Sequence, residues 1–494
     1  MTVSPPCPLA FAANSAWALG NLPAWSAFRR ALANPAAAQA TLLQSIISRA
    51  ANTAFGRAHH FDRIRSYDDF RQQVPLCDYA DVEPWIERIR RGERRTLTAD
   101  PVRHLATTSG TTGGRKLIPH TAGLQVEFNR AVGPWIVDLF LSRPSLLAGP
   151  AYWSISPVAR QPQQDTSVVP IGFEEDSAYL GGIARHLVNA VMAVPASVRH
   201  APTMDEWLRL TVHHLSRRRD LRLISVWHPS FLSLLLPHLP APPRQLWPNL
   251  KVISCWTDGH ASLAAQTLAA QLPGVTIQPK GLIATECIIS IPFAGGWPLA
   301  IRSHFFEFLA EDGTVLRADE LRQDGTYEAV VTTAGGLYRY RMHDLVRVEG
   351  FVGRTPSIRF VGKSGHVSDL FGEKLSEAFV GQTLRYLQQQ TGVAWSFAML
   401  APDRQYYILF IEGDISPGLA AALDLSLRAN PQYAYCRDLG QLLHPRVFHI
   451  AAGAAFTYAA RLSSAHQRLG DVKPTALSLL PNWHQHFTGE FLAE

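Results

Sequence analysis

Cysteine is scarce in this 494-residue sequence, and the five present, Cys7, Cys77, Cys255, Cys287 and Cys436, are odd in number and contain no C-x-x-C pair. That spacing argues against a disulfide framework and a zinc site, and suits a reducing compartment. Long apolar runs are also missing. No stretch of about 18 uncharged apolar residues reads as a membrane span, and no basic residue precedes Arg29, so Leu9–Leu19 lacks the charged front of a signal peptide. The expected location is the cytoplasm. Charge is modest: 17% of residues are charged and the formal net charge is +6. The densest basic cluster, Arg88, Arg90, Arg91, Arg94 and Arg95, is interrupted by Glu87 and Glu93 and reads as a solvated helix end, so no nucleic-acid partner is expected. The sequence has no internal repeat, no low-complexity stretch and no Walker spacing G-x-x-x-x-G-K-[ST].

Hydrophobic residues make up 47% of the chain, ordinary for a soluble α/β protein, and the length suggests two or three structural units. Residues 16–100 read as a helical lead-in, with helices at Trp25–Ala33, Ala37–Ala51, Tyr67–Gln73 and Pro84–Arg91. A short strand, Val102–Ala106, runs into a Thr/Ser/Gly segment. Apolar runs at Tyr152–Ile155, Leu223–Val226, Lys251–Cys255 and Val275–Gln278 read as buried strands. Helical spacing at Tyr179–Ala193, Asp205–Arg218 and Ser262–Gln271 supplies the crossovers. From Leu299 to Val361 the pattern turns to β, with strands at Phe305–Leu309, Thr326–Thr332, Leu345–Phe351 and Ser357–Phe360 forming a barrel-like region or sheet. A helix at Ser376–Gln390, strands at Trp395–Leu400 and Tyr406–Glu412 and a helix at Pro417–Ala429 then form an α+β tail. The fold class is α/β, with domains at residues 1–362 and 363–494.

Three constellations carry chemistry. Thr107-Thr108-Ser109-Gly110-Thr111-Thr112-Gly113-Gly114-Arg115-Lys116 packs five hydroxyls, three glycines and two cations into ten residues. Glycines let backbone N–H groups curl around a phosphate while hydroxyls and cations add donors and charge; alone, the run equally suits a polar flexible loop. Gly281-Leu282-Ile283-Ala284-Thr285-Glu286 follows a strand at the carboxyl-end position where open sheets bind ligands, and a carboxylate beside a hydroxyl suits Mg²⁺. Alone, Glu286 reads as an ordinary surface or N-cap acid. Tyr338-Arg339-Tyr340-Arg341-Met342-His343-Asp344 precedes a strand. An Asp there can accept from both ribose hydroxyls and Arg341 can reach a phosphate, or the two form a structural pair.

In this order the three resemble the acyl-acid amido synthetases of the auxin-responsive, Gretchen Hagen type, within the luciferase and acyl-CoA synthetase superfamily. The first loop is close to that family's S-S-G-T-S-x-G-x-x-K, one residue shorter before the lysine. Leu282–Glu286 resembles its aromatic-x-S/A-S/T-E element, and Tyr338–Asp344 its Y-R-Y-R-x-G-D. Further likenesses are Ser303–Phe308, Gly372–Leu375 and the late lysine segment Arg468–Pro474. Three positions depart: Leu282 stands where an aromatic is frequent, His343 replaces a small residue, and Asp471-Val472 replaces Gln and an aromatic.

The resemblance implies a ligase that uses ATP and Mg²⁺ to convert a carboxylic acid to an acyl-adenylate and transfers the acyl group to an amine, expected to be an amino acid. By position, Thr108, Ser109, Gly110, Thr111, Thr112 and Gly113 would hold the phosphates with Lys116 in support. Thr285 would contact the α-phosphate and acyl carboxylate, Glu286 would hold Mg²⁺, Asp344 would bind the ribose, and Lys473 would approach from a mobile C-terminal domain. A hinge is expected near Lys363–Asp369, and an acyl pocket or a packed core Trp at Ser254-Cys255-Trp256-Thr257. The rival activities are an acyl-CoA ligase with the same first half and a non-catalytic binding protein of the same fold. The expected partners are small molecules, with no membrane, and the chain a monomer or weak dimer.

Overall fold

The computed structural model of the chain describes residues 7–108, 116–154, 167–172, 191–259, 261–462 and 475–492. Helices α1 (Pro8–Ala31), α2 (Pro35–Ala50), α3 (Tyr67–Gln73) and α4 (Tyr79–Arg90) form the lead-in. Asn34 starts α2 by accepting from the Ala37 N–H, and Ser66 and Asp69 close a reciprocal capping box on α3. Strands β1 (Val102–Thr107) and β2 (Leu117–Thr121) pair antiparallel. Next comes α5 (Ala122–Ser142), whose N-cap Thr121 accepts from the Leu124 N–H. Sequence periodicity had not singled out this helix, because it buries residues almost all round, from Gly123 to Phe140, and so lacks a polar face.

Strands β3 (Ala151–Trp153), β4 (Leu223–Ser225), β5 (Val252–Cys255) and β6 (Thr276–Pro279) lie side by side in that order, all parallel. Helices α6 (Met204–Ser216) and α7 (Ala261–Gln271) lie within the crossovers. Most of the expected helix Tyr179–Ala193 lies outside the described residues. The β region is a five-stranded antiparallel sheet ordered β11-β10-β9-β7-β8, from β7 (Phe305–Leu309), β8 (Val315–Arg317), β9 (Thr326–Thr332), β10 (Tyr340–Val352) and β11 (Thr355–Lys363). Two of the expected strands are longer than their apolar runs, since β10 and β11 pair with each other past the last apolar residue.

Beyond β11, short strands β12 (Val367–Ser368) and β13 (Leu375–Ser376) lead into α8 (Glu377–Thr391). A four-stranded mixed sheet follows, β14 (Trp395–Asp403), β15 (Tyr406–Gly413), β16 (Arg446–Ile450) and β17 (Gly489–Phe491), with β15 and β16 parallel. Its two faces carry separate apolar clusters, one under α8 around Trp395 and Leu409, the other around Phe410, Tyr458 and Trp483. Periodicity of two along β14 and β15 produces this split.

A buried ion pair ties the helical lead-in to the β sheet. The Arg339 guanidinium lies 2.9 Å from Glu307 on β7 and also donates to the carbonyls of Arg71 and Val74; the Tyr67 hydroxyl donates to the same Glu307. Burying two charges costs several kcal/mol, offset only when their remaining donors and acceptors are satisfied, as here.

Candidate active site

The Thr107–Lys116 stretch, expected to hold phosphates, begins at the last residue of β1 and ends just ahead of β2. Thr107 pairs with Leu117, and the Thr108 N–H donates to the Lys116 carbonyl at 3.1 Å, so the chain leaves and re-enters the sheet at one point. Ser109, Gly110, Thr111, Thr112 and Gly113 lie outside the described residues, and Thr108 is buried. Tyr79, the first residue of α4, fixes the mouth of this stretch. Its hydroxyl accepts from the Leu117 N–H at 2.8 Å, and the Lys116 ammonium lies 5.7 Å from its ring centre.

Glu286 sits at a tight turn made by the Ala284 N–H donating to the Cys287 carbonyl, with Ile283 and Ile288 bridged on either side. The turn leaves Thr285 half-buried and Glu286 buried. Gly281 makes the approach possible. Its φ is +80°, and a Cβ there would stand 2.4 Å from the Ser290 carbonyl oxygen. Leu282 turns into the main core and so does not offer a face for stacking on a base.

Asp344 stands in a bulge. Arg341 pairs with Val330 and Leu345 with Glu328, so Met342, His343 and Asp344 face a single residue of β9. At its centre His343 has φ +56°, the left-handed region that explains why a small residue suits this position. The histidine is held there by two contacts. Nε2 lies 2.8 Å from the Asp78 carboxylate and Nδ1 3.1 Å from the Ser364 hydroxyl. The departure from the family pattern therefore adds a link to Asp78, the N-cap of α4.

On β11, Lys363 is the direct cross-strand partner of Asp344, and its ammonium lies 2.9 Å from the carboxylate. Burial works against the Lys363 charge, yet Asp344, with Glu286 and Glu377 acting beside it, holds the lysine above its ordinary pKa. The same acids act on the buried Cys287 thiol. Burial pushes it well above its usual range, and Glu286, Asp344 and Glu127 push it further. Glu286 and Asp344 thus lie within electrostatic reach of the same groups. Tyr340 closes the circle: burial raises its pKa, as do Glu286, Cys77 and Tyr79. Electrostatic reach thus links the turn at Glu286 to the bulge at Asp344 through Lys363 and Cys287, and to Tyr79, beside Lys116 and Leu117, through Tyr340.

Arg341, expected to reach a phosphate, makes a two-point pair instead. Its Nε and Nη2 donate to Glu328 at 2.8 and 3.0 Å. Burial raises the Glu328 pKa, but hydrogen bonds from Arg341 and Ser364 outweigh it and leave the carboxyl below its usual value. Lys473 lies outside the described residues.

At the carboxyl ends of the parallel strands, Cys255 points into the core and Trp256 is half-buried, its ring centre 5.6 Å from that of Trp227. The buried Lys280 ammonium lies 4.5 Å from the Trp227 ring centre and donates to the Ser225 hydroxyl at 2.9 Å. Sequence reasoning singled out Trp256 but missed Trp227 and Lys280, which only the strand order brings beside it. Lys363 had been read as part of a hinge, and its partner could be found only from the β10–β11 register.

Comparison with known proteins bears on the whole chain. Residues 24–240 match the GH3 family N-terminal domain and residues 297–363 the GH3 family central domain. Among curated relatives, the chain is 26% identical to the indole-3-acetic acid-amido synthetase GH3.17 of Arabidopsis thaliana, over 77% of this chain and 78% of that one. It is 25% identical to the probable indole-3-acetic acid-amido synthetase GH3.7 of Oryza sativa subsp. japonica, over 78% and 79%. The fold is similar to that of the AtGH3.15 acyl acid amido synthetase in complex with 2,4-DB, with TM-score 0.83 and 18% identity over 95% of this chain and 97% of that one. A 2-hydroxyisobutyryl-CoA ligase in the postadenylation state shares the fold more loosely, with TM-score 0.54 and 13% identity over 90% and 89%. Two domain matches to one family, together spanning more than half of the sequence, identify the chain as a member of the GH3 family.

Proposed function

We propose that this chain is an AMP-forming acyl acid amido synthetase. In the first half-reaction a substrate carboxylate attacks the α-phosphorus of ATP in line and pyrophosphate leaves. In the second, an amino acid's amine attacks the acyl-adenylate, giving an amide and AMP. The observation that carries this reading is the convergence of Glu286 with the Asp344–Lys363 pair beside the mouth of the phosphate loop.

The chain's contribution is positioning and charge stabilisation. Thr108 and the following Ser109–Gly113 would donate to the phosphate oxygens. Lys116, held over Tyr79, supplies positive charge at the loop's exit. Thr285, half-buried at its turn, is the donor nearest in sequence to the metal-binding acid and would contact the α-phosphate and acyl carboxylate. Asp344 would accept from the ribose hydroxyls, with Lys363 orienting it. Glu286 with Thr285 fits Mg²⁺, which takes one or two protein oxygens and completes its shell with phosphate and water. Bound there, Mg²⁺ would draw charge off the phosphate oxygens.

The domain boundary is proposed near residue 362, supported by the central-domain match ending at residue 363. The segment Lys363–Asp369 beyond it would act as the hinge that brings Lys473 to the adenylate. Trp227, Trp256 and Lys280 are proposed to border the acyl site. Five free cysteines suit the reducing cytoplasm.

The test is acid-dependent exchange of labelled pyrophosphate into ATP, followed by AMP release with amino acids and with CoA as acceptors. Exchange with amide formation supports the proposal. Thioester without amide would make the chain an acyl-CoA ligase, and absence of exchange over a broad panel of acids would favour the non-catalytic reading.

A further inference from the structure

A second concave region lies where α1, α2 and α5 meet the turn ahead of β7, and it contains none of the residues given catalytic roles above. It is an open recess of about 580 Å³, within the size range of small-molecule sites. Three arginines line it: Arg30 from the last turn of α1, Arg130 from α5 and Arg302 from the turn before β7. No carboxylate lines the recess among the described residues. Nor, among the described residues, does any of the three guanidiniums make an ion pair or side-chain hydrogen bond, in contrast to arginines such as Arg49 with Asp100 and Arg359 with Asp258, which are paired with acids.

The three are close enough to feel one another. Arg302, the most buried of them, is held below the ordinary arginine pKa by burial first and then by Arg130 and Arg30. The small side chains of Ala31, Ala37 and Ala38 leave the space between them open. The N-terminal turn of α2 adds to the field, since its first turn carries no acid and its dipole presents positive charge. Asn34, Thr41 and Ser45 supply polar atoms at the wall. Like charges gathered without a counter-charge destabilise a fold through self-repulsion, and a bound anion removes that cost. The guanidinium fork matches phosphate oxygens two at a time, which a simple surface of lysines does not.

We propose that the recess lined by Arg30, Arg130 and Arg302 is a binding site for a soluble oligoanion of the phosphate class, a diphosphate or a small phosphorylated molecule, separate from the adenylating centre. Inorganic pyrophosphate is the probe, titrated calorimetrically into the full chain at low ionic strength without ATP. The Thr108→Ala variant is titrated in parallel to separate this site from the phosphate loop. The expected result is a binding component that survives Thr108→Ala and is weakened about tenfold or more by Arg130→Ala or Arg302→Ala, the loss of one charge-assisted contact. Arg302→Lys, which keeps the charge and loses the fork, should fall between. Pyrophosphate exchange by the Arg302→Ala variant should stay within about threefold of the parent, showing that the fold is intact. A component unchanged in an Arg30→Ala/Arg302→Ala double variant, or abolished by Thr108→Ala, overturns the proposal.

Discussion

Asp344 and Lys363 face each other across the β10–β11 hairpin, with the ammonium 2.9 Å from the carboxylate. The aspartate is buried and the lysine about one-third exposed, so the pair sits at the border of solvent, where a ligand can share the carboxylate. Asp344→Asn keeps the shape and removes the charge that Lys363 needs. The expected outcome is a rise in KM for ATP of about 10–100-fold, as for loss of a hydrogen bond to a charged group. The loss of stability should be smaller, about 1 kcal/mol, because water still reaches the lysine. Steady-state kinetics and urea melts together check this; an unchanged KM would remove Asp344 from the nucleotide site.

His343 is a test of whether its side-chain contacts matter more than its backbone. Glycine at this position relieves a left-handed conformation that costs a non-glycine residue roughly 1 kcal/mol. It also forfeits the contacts to Asp78 and Ser364, worth about 0.5–1.5 kcal/mol each. His343→Gly should therefore lose no more than about 2 kcal/mol of stability. His343→Val, which has neither the contacts nor tolerance for φ +56°, should lose roughly 2 kcal/mol or more. Equal losses in the two variants would contradict this account.

Arg341 separates structure from catalysis. Its two-point pair with Glu328 predicts that Arg341→Ala lowers stability by about 1–2 kcal/mol while moving KM for ATP less than about threefold. A KM rise of tenfold or more would restore the phosphate role. Glu328 also carries a pH signature. Its folded pKa is below the ordinary value, so its stabilisation is complete above the unfolded pKa of about 4.3 and is lost as the pH falls through the folded value. Glu328→Gln should flatten the acid limb of the stability curve, read by denaturant melts at pH 3–6.

His120 on β2 stacks on His104 of β1, with ring centres 4.5 Å apart. Burial first, then the neighbouring His104 and Arg103, lowers its pKa to about 4. An unfolded histidine titrates near 6.5. The stability it contributes is thus full above that value and is lost as the pH falls from about 6.5 to about 4, by about 3 kcal/mol in all. His120→Gln should reduce that slope, and NMR titration of the imidazole should find it neutral at pH 6. A midpoint near 6.5 would show that water reaches the ring.

Much of the architecture was legible without coordinates. Phe305–Leu309 and Thr326–Thr332 are short runs rich in aromatic or β-branched residues between turn signals, and β7 and β9 occupy those bounds. The helix α3 occupies Tyr67–Gln73 as expected, ending before Pro75, while its capping box at Ser66 is a finding of the structure. By contrast α5 escaped notice, because a helix buried on nearly every side has no amphipathic stripe to betray it.

The sequence by itself determined which chemistry is possible: a hydroxyl- and glycine-rich loop, a Thr285–Glu286 turn and an Asp344 at a strand's start, in a fixed order. Local composition sets these, since glycine, hydroxyl and carboxylate are chosen residue by residue. Tertiary structure decided the partners. Register sets Lys363 against Asp344, a bulge turns Arg341 to Glu328 and Asp344 away from it, and the packing of α1, α2 and α5 against the turn before β7 collects Arg30, Arg130 and Arg302 from positions as far apart as 30 and 302. Such pairings depend on where strands and helices meet in space, and charges come together only after the core that aligns those elements has formed.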